Sequence, residues 1–176
     1  MSDLVSQILR DWQNFYLLTG TAAATLIGLQ FIAASRGTGL VTSSTKLLIS
    51  TWVTPTIIHF GTVLVIAVVS TIPVLNALLL AVLLGIGGLA GLGYTSAVGI
   101  GMWRQGRKTP LASSVWIWYV VAPLLSYGIL PGIAVGLLLN NQQVVNLLAL
   151  PIILLLILGI RNAWDLTVWI KQNRRE

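Results

Sequence analysis

The chain has no cysteine, one histidine and only four acidic residues, Asp3, Asp11, Asp165 and Glu176, in a length of 176. The missing thiols exclude disulfides, thiolate metal sites and a cysteine nucleophile. With so few acids and imidazoles, no cluster with metal-ligand spacing can be assembled. No acid shares the segment of His59 to orient it as a base for a serine or threonine. Charge is also missing over long stretches: no Asp, Glu, Lys or Arg occurs in the 57 residues 47–103 or in the 52 residues 109–160. A hydrocarbon core of about 30 Å takes roughly 20 residues of helix, so each stretch can cross a bilayer twice. Charged residues make up 8% of the chain against about 25% in soluble domains, which directs most of the surface towards lipid. These absences argue against an enzyme and against a bound cofactor.

What remains is hydrocarbon, glycine and a basic fringe. Five apolar segments, 15–34, 47–72, 74–103, 111–139 and 144–170, predict an all-α integral membrane helix bundle with about five transmembrane helices. They leave almost nothing for a soluble domain, so a single domain over 1–176 is expected, with tight turns at 70–76 and 140–143. Five crossings put the termini on opposite sides. Arg36, Lys46, Arg104, Arg107, Lys108, Lys171, Arg174 and Arg175 then share one side and Arg10 stands on the other, which predicts an exterior N-terminus and a cytoplasmic C-terminus. Trp103, Trp116, Trp118, Tyr119, Trp164 and Trp169 fall beside the same basic positions, as an interfacial belt requires. The net charge of +6 therefore reads as topology anchors meeting anionic lipid headgroups, with no nucleic acid partner.

Asp3, Arg10 and Asp11 deny the first segment the basic start of a signal peptide. Leu4, Val5, Ile8, Leu9 and Trp12 recur at helical spacing, with Ser6, Gln7 and Arg10 opposite, and predict a short amphipathic helix ahead of the first span. It is expected either to lie on the membrane surface or to continue the first span above it.

The stretch Trp12–Phe31, W-Q-N-F-Y-L-L-T-G-T-A-A-A-T-L-I-G-L-Q-F, resembles the opening of a family of small, multi-span, largely uncharacterised bacterial membrane proteins. Gly159–Leu166, G-I-R-N-A-W-D-L, resembles the way such chains end. The resemblance implies a bacterial inner membrane. It brings no activity and no functional residues with it.

Several small-residue faces predict close helix contacts. Gly20, Ala24 and Gly28 follow at four-residue spacing in the first span, and Gly128, Gly132 and Gly136 do so in the fourth, between Pro123 and the end of the segment. The third span, with Gly85, Gly87, Gly88, Gly91, Gly93, Gly99 and Gly101, reads as the central packing helix. Its glycines lack the strand, loop and acidic residue that nucleotide fingerprints need.

Polar residues inside spans mark the candidate site. Gln30 lies off the glycine face of the first span, and His59 falls about 20 Å from either end of the second, near mid-membrane. Thr51, Pro55, His59 and Thr62 share a face with Thr56 one turn before the histidine, and Pro55 is expected to bend the helix there. Arg161 and Asp165, four apart, are expected to pair at the basic boundary with Asn162 beside them. Two functions fit. A homo-oligomeric, channel-like conduit for ions or small solutes needs Gln30, Thr51, Thr56, His59 and Thr62 to converge on water. A non-catalytic scaffold or interaction subunit needs them paired within the bundle, with a surface for a membrane-protein partner elsewhere.

Overall fold

A computed structural model describes residues 3–37, 54–73, 75–106 and 113–173. Every regular element among them is helical. In chain order these are α1 (Asp3–Asp11), α2 (Gln13–Gly37), α3 (Thr54–Ser70), α4 (Ala77–Gly106), α5 (Ser113–Trp116), a π-helical turn (Ile117–Val121), α6 (Ala122–Leu138), a 3-10 helix (Gln142–Leu148) and α7 (Ala149–Asn173). Four stretches, Gln13–Ala33, Ala77–Arg104, Ile117–Leu138 and Gln142–Asp165, are long and apolar enough to cross a membrane. Thr54–Ser70 is a fifth apolar helix of 17 residues, the lower end of the spanning range. The remainder of the expected second span, 47–53, lies outside the described residues.

The ends of the helices follow from local chemistry. Asn76 caps α4, its Oδ1 accepting the Leu79 N–H at 2.7 Å. At the end of α6 Asn140 takes φ 62°, a left-handed conformation that asparagine tolerates better than most residues. The Asn141 N–H then reaches back to Gly136 O at 2.9 Å, closing the helix. The π-helical turn sits just before Pro123, which has no N–H to give; Ala122 N–H bonds five residues back to Ile117 O.

The helix α1 folds over the end of the bundle rather than simply prolonging α2. The chain turns at Trp12, and the buried Val5, Ile8 and Leu9 of α1 pack over the 3-10 helix, where Val145 and Leu148 are also buried. Trp12 Nε1–H donates to Asn146 Oδ1 at 3.0 Å, fastening the two segments. One end of the bundle is thereby covered.

Packing rather than hydrophobic transfer holds helices together in lipid, so close approach matters most. The spatial order is α2, α3, α7, α6, α4. On α4, a Cβ at Gly88 would stand 2.9 Å from Leu130 Cβ, one at Gly99 would stand 3.0 Å from Val120 Cγ1, and one at Gly91 would enter the Tyr127 ring. The antiparallel α4–α6 seam is the most extensive in the molecule, as expected for the glycine-rich third span. Gly20 gives Ala67 room between α2 and α3, and Gly159 receives the Phe60 ring between α3 and α7.

The two other small-residue faces behave differently along their lengths. Ala24 and Gly28 are exposed, and a Cβ at Gly28 would meet nothing within 4 Å; the same holds at Gly128 and Gly132, whereas Gly136 faces Val144. Four residues turn a helix by about 400°, so a four-residue repeat drifts about 40° per step around the axis. The buried stripe of α2 instead mixes steps of three and four through Tyr16, Thr19, Gly20, Ala23 and Gln30.

Candidate functional site

The buried histidine is held from two helices. His59 is 2% exposed on α3, and its Nδ1 lies 2.9 Å from the hydroxyl of Tyr127 on α6. The Tyr127 hydroxyl also stands 3.3 Å from Thr62 Oγ1, which donates to Ile58 O at 2.8 Å. The Thr62 proton is thus committed to the backbone. One arrangement uses every proton: His59 Nδ1–H donates to Tyr127, Tyr127 O–H donates to Thr62, and Thr62 donates to Ile58 O. Gly91 makes this possible, because only an absent side chain lets the Tyr127 ring approach α4 so closely. Sequence reasoning missed Tyr127. The available signal was a tyrosine at mid-span, away from the aromatic belt, where its hydroxyl must find a partner.

Pro55 is buried near the start of the described part of α3, and the Thr51 carbonyl that the expected bend would free lies outside the described residues. Thr56 is fully buried in the next position.

A second polar layer lies one turn towards the basic end. Gln30 on α2 is 4% exposed and Asn162 on α7 is 1% exposed. Ten residues on from Gly20 is ten back from Ala67, and three on from Gly159 is three back from Phe60, so both amides fall at the level of Ile57, next to Thr56, on the antiparallel α3. Gln30 Nε2 and both polar atoms of Asn162 have no hydrogen-bond partner. Asn162 therefore points inwards, away from the boundary group in which it was expected. At that boundary Asp165 accepts the Tyr119 hydroxyl at 2.7 Å, and the Arg161 guanidinium lies 4.5 Å from the centre of the Trp118 ring. Both aromatic partners come from the π-helical turn.

The sequence also gave no sign of a cleft between α3 and α4. These helices are joined by residues 71–76 yet barely touch, and between them lies a cavity of about 510 Å³ floored by Leu130 of α6. Its walls are apolar except for Thr62 and Tyr94 at one end. A smaller recess of about 160 Å³, lined by Ser6, Arg10, Gln13 and Ser70 among others, adjoins the last turn of α3. Among the described residues no three His, Asp or Glu side chains group to hold a metal.

In class this is an all-α bundle of helices with the length and apolarity of membrane spans. Comparison with protein-family models, curated proteins and solved structures finds no match for the chain.

Proposed function

We propose that this protein is a non-catalytic, multi-span membrane subunit whose work is to present helix faces to another membrane protein or to further copies of itself. The observation that carries this reading is the closed His59–Tyr127–Thr62 chain: the ionisable group a conduit would expose is spent inside one bundle. The glycine faces at Gly28 and at Gly128 and Gly132, unfilled within the protomer, support the second requirement of a scaffold. The proposed setting is a bacterial inner membrane with the C-terminus cytoplasmic, on the strength of eight basic residues against one and of the family resemblance.

A homo-oligomeric conduit is the second reading, favoured by the unpartnered amides of Gln30 and Asn162 in the bundle interior. The test measures particle mass in detergent and potassium flux into liposomes. The scaffold reading expects a self-association or partner-bound mass above the 18.9 kDa protomer that falls in Gly132→Leu, with no flux. An oligomeric particle that conducts, with flux lost in Asn162→Leu, would overturn it in favour of the conduit.

A further inference from the structure

We propose that the cleft between α3 and α4 is a binding site for one acyl chain of an anionic phospholipid, taken sideways from the leaflet at the α1 end. The cleft begins at Val69 and Leu80, one turn inside the residues that connect the two helices, and reaches Ile58 and Tyr94. Eleven residues of α3 separate its ends, about 16 Å of helix rise, close to the ~15 Å that one leaflet of hydrocarbon occupies. The depth matches the run of a lipid tail from its headgroup to the bilayer centre. The cleft is apolar along that length, with Thr62 and Tyr94 only at its inner end, which suits a hydrocarbon chain.

The mouth opens on the outer surface of the bundle between apolar lips. Val65 on one lip is 61% exposed and Leu83 on the other is 41% exposed, and the walls between them are set back by Gly61 and Gly87. Charge selects the headgroup. Across Ser70, the small recess carries Arg10 as its single charged side chain, exposed, a cation for an anionic headgroup at this end of the cleft.

Cβ atoms at Gly61 and Gly87 would meet nothing within 4 Å, so a side chain there starts into the open cleft; Gly93 on α4 is equally open but outside it. The experiment uses the full chain in phosphatidylcholine vesicles containing phosphatidylglycerol with a diazirine near the end of one acyl chain. Irradiation should label the Gly87–Tyr94 stretch. Labelling should fall about fivefold or more in Gly87→Leu and in Gly61→Leu, and remain in Gly93→Leu. A diazirine phosphatidylcholine should label more weakly, with Arg10→Gln erasing the difference. Equal labelling of all three glycine variants would overturn the site, as would an interchain disulfide formed readily by Leu83→Cys. Equal labelling by the two headgroups in the wild type would overturn the anionic assignment.

Discussion

Two sets of glycines in the same helices meet opposite fates. On α4, Gly88 and Gly91 are filled by the Leu130 and Tyr127 side chains of α6 and Gly99 by Val120 of the π-helical turn, while Gly87 and Gly93 face no neighbour. On α6, Gly136 meets Val144, while Gly128 and Gly132 face none. A glycine in a membrane helix therefore marks close approach only where the neighbouring helix offers a ring or branched group at the same level. Spacing in one sequence does not supply that second half.

The strongest test of the contrast is Gly91→Ala. Its methyl would enter the Tyr127 ring, which is itself wedged between α4 and His59, so overpacking should destabilise the bundle by about 1–3 kcal/mol. A thermal midpoint in detergent unchanged from wild type would show that the seam is loose. Tyr127→Phe then separates filling from hydrogen bonding at the same place. It keeps the ring against Gly91 and strands His59 and Thr62, for an expected loss of about 1 kcal/mol in the same melt. Smallest of all, and opposite in sign, should be Gly28→Ala and Gly132→Ala: with open space at both, the better helix propensity of alanine should raise stability by up to about 1 kcal/mol. Destabilisation by either alanine in the isolated protomer would mean that its face is already occupied.

The architecture was legible because charge is so unevenly placed. Segments free of Asp, Glu, Lys and Arg gave the spans, and the turns at 70–76 and 140–143 coincide with the Asn76 cap and the left-handed Asn140. The amphipathic spacing of α1 also announced its helix, although its buried side turned out to face the 3-10 helix. Side-chain pairing was far less legible. In lipid both the outer and the inner face of a helix are apolar, so the periodicity that reveals a buried face in water carries little signal. That is why Gly20 and Gly28 read alike in sequence and differ in the fold. Tyr127 escaped notice for a related reason: tyrosine is common at membrane boundaries, and its mid-span position becomes informative only beside His59. Asn162 looked like a boundary residue by proximity to Arg161 and Asp165, yet one residue is a third of a helical turn, enough to send it inwards.

The neighbours in space are not the neighbours in the chain, and synthesis runs in chain order. Once α2 and α3 have emerged they can close on each other through Gly20 and Ala67. The next helix, α4, then enters the bilayer before Tyr127 and Pro131 exist, so its glycine notches must stay lined with lipid until α6 arrives to displace it. Phe60 waits longer still, for the Gly159 that comes last. The bundle thus has a built-in late step: the packing of α7 against both α3 and α6 can form only after the rest of the chain is in place.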